Sequence, residues 1–165
     1  MVALRARASE LWIVAVIVAL DQVTKAVVRA RLPLHESYAV IPGFFDFTHV
    51  RNTGAAFGMF NSVDFQYKPL VMVVVALIAL GAVASYALTL PPAQRLARWG
   101  LALILGGAVG NLIDRSTAGF VIDFVDVYWR GLHFWAFNVA DSAITVGVAL
   151  MLLDVLGVGR VSETV

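Results

Sequence analysis

A chain of 165 residues that is 61% hydrophobic and 14% charged, with a mean hydropathy of +0.86, departs from the balance of soluble domains. Those run near half apolar and a quarter charged, so the composition points to a polytopic membrane protein, a single integral domain over 1–165. The net charge of +1 gives no reason to expect nucleic acid as a partner or a polybasic tether, and the lack of cysteine excludes disulfides, thiol nucleophiles and cysteine-ligated metals.

Arg5 and Arg7 precede the apolar run LWIVAVIVAL (11–20), in the order of a signal peptide's first two regions. No small-x-small cleavage site follows; Asp21 and Lys25 come next, so the run reads as a retained first span over about 11–28. The segment 29–68 is too long for a simple connector. Its runs YAVI and FDFTHV, separated by Pro42 and Gly43, predict two short strands and a turn. A second span over about 69–90 lies within 26 uncharged residues between Lys68 and Arg95, enough to cross about 30 Å of hydrocarbon. The third, about 97–114, has 15 uncharged residues between Arg98 and Asp114 and carries Gly106-x-x-x-Gly110, a pattern that permits close helix packing. A second loop, 115–136, holds VIDFVDVYW and LHFWAF, whose Tyr128, Trp129, Trp135 and the following Phe137 suit the headgroup level. The fourth span, about 137–158, opens on FNVADSAITVG with Asp141 in its first turn. The expected fold is mainly α: four transmembrane helices, a small β-containing outer loop and a second outer loop.

Antiparallel threading puts three polar clusters on one side of the membrane. Asp21 and Lys25 end the first span; Asn111, Asp114 and Arg115 end the third; Asn138 and Asp141 open the fourth. Ionisable residues at membrane depth are costly and usually face partners or a functional cavity. Arg5, Arg7, Arg95, Arg98 and Arg160 mark the other side, against Arg29, Arg31, Arg51, Lys68, Arg115 and Arg130 on the polar side. Raw counting does not place the termini inside; the compact PPAQRLAR turn and the basic N-terminus favour cytoplasmic termini and a polar end on the outer face.

Asn138 and Asp141 share a helix face, and Asp123 lies in the loop 18 residues before Asp141. Two carboxylates at a half-dry site raise one another's pKa, so one can hold a proton while the other is ionised, which is the means to activate water against an amide without a metal. Plainer readings stand beside this one. Asp141 reads equally as a first-turn acid favoured by the helix dipole, Asp123 as a solvated loop residue, and Asp126 as the partner on spacing alone. Asp21 with Lys25, and Asp114 with Arg115, read first as structural ion pairs, and RNTGAAFG (51–58) as a Gly-rich turn. HExxH and G-x-S-x-G are absent, and His35, His49 and His133 are scattered. A divalent cation on Asp123, Asp126 and Asp141 is an alternative, as is a small transporter with Asp141 and Lys25 on an ion path, although the span midsections lack a relay.

DQVTK (21–25), RNTGAAFG (51–58), GNLIDR (110–115), GFVIDFVDV (119–127) and FNVADSAITVG (137–147), in this order and spacing, resemble bacterial lipoprotein signal peptidase, or signal peptidase II. The resemblance covers nearly the whole chain. It implies an aspartic endopeptidase of the bacterial inner membrane, working as a monomer among membrane lipids without cofactor or metal. Its substrate would be a prolipoprotein whose lipobox cysteine already carries diacylglycerol, cut on the amino side of that cysteine. The family's catalytic aspartates fall on Asp123 and Asp141, which favours Asp123 over Asp126. Its substrate-binding or site-supporting residues fall on Asp21, Lys25, Asn52, Gly54, Asn111, Asp114, Arg115, Asn138 and Ala140.

Overall fold

The computed structural model describes residues 7–54, 63 and 65–158; Arg5, Arg160 and the last four residues of RNTGAAFG lie outside them. Among the described residues, four helices and four strands follow in the order α1 (Ala8–Arg31), β1 (Ser37–Ile41), β2 (Phe45–Asn52), α2 (Lys68–Thr89), α3 (Arg95–Ala118), β3 (Val121–Trp129), β4 (Leu132–His133) and α4 (Val139–Val155). Two of the helices, α1 and α3, begin or end about a turn beyond the apolar runs that announced them, because basic end residues such as Arg29, Arg31, Arg95 and Arg115 continue the backbone helix, while α2 falls within a residue of its expected bounds.

Three of the helices, α1, α2 and α3, are long and apolar enough to cross a membrane. Their large side chains face outward, with Trp12, Val23 and Ile78 all more than 60% exposed, an arrangement that suits lipid rather than water. Small residues draw the helices together. Gly106 and Gly110 of α3 face Ile17 and Asp21 of α1, while Gly107 faces Ala140 and Gly100 faces Gly147 across to α4. A Cβ at any of these four would sit closer to its neighbour than real contacts allow. The GxxxG pair therefore seats α3 on α1, and the neighbouring glycines seat it on α4.

The ends of the helices are closed by different means. Pro69 opens α2, where a missing N–H costs nothing. The Arg7 guanidinium donates to Ala87 O and Leu88 O, both at 3.0 Å, capping its last turn. Gly119, at φ 78°, ends α3 with its N–H on Arg115 O. Asn138 opens α4 in a capping box with Asp141.

The strands form one antiparallel sheet in the order β1-β2-β3-β4. The predicted pair β1 and β2 is present, joined through Pro42 and Gly43. The second loop also contributes a strand: VIDFVDVYW is β3, paired to β2 with Val50 opposite Asp123 and Asn52 opposite Val121. Arg130 and Gly131, both at positive φ, turn β3 into β4. The chain then returns through a bridge between Val125 and Phe137, which delivers Asn138 to the head of α4 beside β3.

Candidate active site

The polar clusters that threading aligned meet at the sheet end of the bundle. Lys25, fully buried, donates to Asp21 Oδ2 at 2.8 Å, Asn111 Oδ1 at 2.9 Å and Asp114 Oδ2 at 2.9 Å. An ammonium has three N–H donors, and each finds an acceptor. The expected Asp21–Lys25 pair is present. The expected Asp114–Arg115 pair is not: Asp114 turns to Lys25, and Arg115, the next residue round the helix, donates to Gly54 O at 3.0 Å. Adjacent helical residues lie about 100° apart on the cylinder, so the two side chains serve different neighbours.

Lys25 fixes the sense of the next hydrogen bonds. Because Asn111 Oδ1 faces the ammonium, its amide Nδ2 is turned to Asp141 Oδ1, at 2.8 Å. Asn138 Oδ1 accepts the Asp141 N–H at 2.9 Å, which turns its own Nδ2 to Asp123 Oδ1 at 2.7 Å. The Asn138 N–H donates in return to Asp141 Oδ2 at 3.3 Å. One asparagine thus holds both carboxylates. Asn52 Nδ2 supplies a second donor to Asp123, at 3.1 Å to Oδ2, while its Oδ1 accepts the Gly54 N–H in a tight local turn. The Ala140 N–H donates to Asp21 Oδ1 at 3.0 Å, so Ala140 contributes backbone rather than side chain.

Asp123 is only 3% exposed. Burial, and then the neighbouring Asp141 carboxylate, push its carboxyl up to about 7, against the amide donors of Asn52 and Asn138 and the Lys25 ammonium. Asp126, three residues on in β3, takes a different partner. It bonds His133 Nδ1 at 2.9 Å, so Asp123, Asp126 and Asp141 do not converge as cation ligands. Among the described residues, no three His, Cys, Asp or Glu side chains are grouped to hold a metal.

The family model described as signal peptidase II matches residues 13–157. The chain belongs to the signal peptidase II family. Among its relatives, the lipoprotein signal peptidase of Geobacter metallireducens is 49% identical over 144 residues, covering 87% of this chain and 88% of that one. That of Solibacter usitatus is 48% identical over 147 residues, with the same shares covered. A solved bacterial membrane enzyme superposes with a TM-score of 0.80 at 29% identity, covering 90% of this chain and 93% of its own, and a second with 0.78 at 30%, covering 96% and 94%. Membership makes this chain a membrane protease.

Within this signal peptidase II fold, two supports escaped the sequence reading. Gln22 Nε2 donates to Asp21 Oδ2, Gly110 O and Asp114 Oδ1 at 3.2–3.3 Å, lacing α1 to α3. Its place beside Asp21 in DQVTK was the available signal. Lys68, read only as a loop charge, is buried and donates to Thr53 Oγ1 at 3.0 Å, tying the head of α2 to the segment that carries Asn52. A buried lysine at a helix start has no local sequence mark.

Proposed function

We propose that Asp123 and Asp141 are the catalytic pair of an aspartic endopeptidase that removes the signal peptide from diacylglyceryl-modified prolipoproteins, cutting before the lipidated cysteine. The observation that carries the assignment is Asn138, which bonds both carboxylates at once, Asp123 through its side-chain amide and Asp141 through its backbone N–H. Asp141 lies in the first turn of α4, where the helix N-terminus favours an anion, and receives Asn111, itself oriented by Lys25. Asp123, on a strand and held by neutral amides, is the partner that keeps a proton.

From this start the proton account closes. The ionised Asp141 takes a proton from water as its oxygen bonds the scissile carbonyl carbon, and Asp123 gives its proton to the carbonyl oxygen. On collapse, Asp123 recovers that proton from the tetrahedral hydroxyl, while Asp141 passes its own to the departing cysteine nitrogen. The pair ends as it began. Asn52 and Asn138 hold Asp123 in place, and Arg115, through Gly54 O, anchors the segment bearing Asn52.

The same reading takes α4 as a fourth span. Its 17 residues extend about 25 Å at 1.5 Å per residue, close to the hydrocarbon thickness. With four spans both termini share one side of the membrane; the basic N-terminus and the PPAQRLAR turn support the cytoplasm as that side, with the dyad near the outer leaflet of the inner membrane, where a lipid-anchored cysteine is held. The chain works there as one integral domain and as a monomer.

The test is a gel shift of diacylglyceryl-modified prolipoprotein with purified enzyme in detergent, with and without EDTA. Asp123→Asn and Asp141→Asn should each lose at least about 10²–10⁴-fold in rate, the contribution of a positioned acid or base, and chelator should have no effect. Full activity in either variant would sink the dyad. A reporter fused after Val165 that is active only in the periplasm would reverse the orientation.

A further inference from the structure

On the side of the sheet away from Asp123, an apolar groove of about 420 Å³ runs between α1 and the strands, within the roughly 300–1,000 Å³ of ligand-sized sites. Val23, Val27 and Val28 form one wall, and Phe47 and Phe124 the other. Thr24 also lines it, but its hydroxyl is already committed to Leu20 O and Asp21 O, at 2.7 and 3.0 Å. The interior therefore offers an occupant nothing polar, while the groove opens onto the lipid-facing surface of α1, where Val23 and Val27 are exposed.

The mouth has a different character. Arg31, the last residue of α1, and Tyr38, the second of β1, both border the groove and are both exposed. Neither side chain makes a hydrogen bond or ion pair among the described residues. The other basic groups nearby are engaged: Arg29 faces Asp114, and Lys25 is enclosed. A dry slot at the end of a membrane helix, topped by an uncommitted guanidinium and a phenol, complements one amphiphile: an acyl chain carrying an anionic phosphate.

We propose that this groove is a binding site for an anionic bilayer phospholipid, with one acyl chain between α1 and the sheet and the phosphate on Arg31 and Tyr38. The substrate's own acyl chains are the rival occupant, and strand geometry disfavours them. Asp123 and Phe124 are consecutive in β3, so they face opposite sides, and the groove lies behind the sheet from the dyad. The bound lipid would wedge against Phe124 and so steady the strand that carries Asp123.

The site requires only that the chain reside in a membrane, so its test does not depend on catalysis. Full-length protein in detergent is incubated with an equimolar mixture of phosphatidylglycerol and phosphatidylcholine of matched chains, and bound lipid is counted by native mass spectrometry. The expected result is one phosphatidylglycerol retained several-fold over phosphatidylcholine. Arg31→Gln should equalise the two, and Val27→Trp, which fills the slot, should abolish retention of both. Arg31→Gln, at an exposed helix end, carries the selectivity arm alone should the Trp variant fail to purify. Equal retention of both lipids by the wild type would overturn the proposal. So would unchanged retention in Val27→Trp, and if that came with a several-fold higher KM for the lipidated substrate, the groove would pass to the substrate's own chain.

Discussion

At the end of the bundle away from the sheet, Arg98 meets Glu10 at 2.6 Å, Arg7 caps α2 through two carbonyls, and Leu90, Ala97 and Leu101 supply an apolar core. At the sheet end, Asp21, Asp114, Asp123 and Asp141 gather round Lys25 and Arg115. Lys25 satisfies Asp21 and Asp114, which leaves Asp123 and Asp141 with neutral amides as their direct side-chain donors. One end matches an acid with a base; the other carries an excess of carboxylate, and a proton makes up part of the difference. The contrast teaches where chemistry can happen, since a group already neutralised by a fixed partner has little reason to exchange protons.

The largest expected effect that would break this contrast is Lys25→Met. It strands two buried carboxylates, and breaking a buried pair by removing one partner costs about 3–5 kcal/mol. Thermal unfolding in detergent should show a large fall in Tm, and an unchanged Tm would mean that the network is not held by its cation.

Next comes pH. Asp123 is protonated in both states below its ordinary 3.8; between 3.8 and about 7 only the folded state keeps the proton. Its contribution to stability therefore falls as pH rises through that window and levels off above it. Asp123→Asn, which cannot ionise, should gain Tm over wild type at pH 8 and show less gain at pH 5, while wild-type kcat/KM declines above about 7. A pH-independent difference in Tm would contradict the raised carboxyl.

Asn138 sharpens the distinction between holding a helix and holding a dyad. Asn138→Ala should cost about 0.5–2 kcal/mol as a lost cap. It should also cost roughly 10–100-fold in kcat, the equivalent of a lost hydrogen bond to a charged group. Asn138→Ser should restore the Tm, because serine caps well, but not the rate, because it is too short to reach Asp123.

The smallest effects compare two glycines. Gly107→Ala drives a Cβ into Ala140 O and should destabilise by about 1–3 kcal/mol. Gly81→Ala on α2 meets nothing within 4 Å and should be neutral or gain up to about 1 kcal/mol. Equal Tm changes would show that α3 and α4 do not pack as closely as Gly107 and Ala140 suggest.

Much of this was legible in residue order. Long uncharged runs announced the helices, and threading alone brought Asp21, Asn111 and Asn138 to one end. YAVI and FDFTHV declared themselves through a Pro-Gly turn. VIDFVDVYW did not declare itself a strand: its pairing to β2 is a long-range contact, and its two aspartates interrupt the apolar pattern. Once it is folded, partners separate Asp123 from Asp126, which linear spacing could not: the first meets Asn52 and Asn138, the second His133. The Asp114–Arg115 expectation failed because adjacency in sequence is not adjacency on a helix face. Gln22 stayed silent because a glutamine's value lies in acceptors supplied by other segments.

The three acceptors of Lys25 bear on how deep each helix sits. In lipid, one apolar helix can slide along another at little cost, since hydrocarbon chains match leucine and valine in character. Sliding α3 along α1 by one turn, about 5.4 Å, would strip the ammonium of Asn111 and Asp114 together. Lys25 thus acts as a vertical stop for the two helices, and the height at which the proposed catalytic pair would meet the bilayer surface is set by a residue that need never touch the substrate.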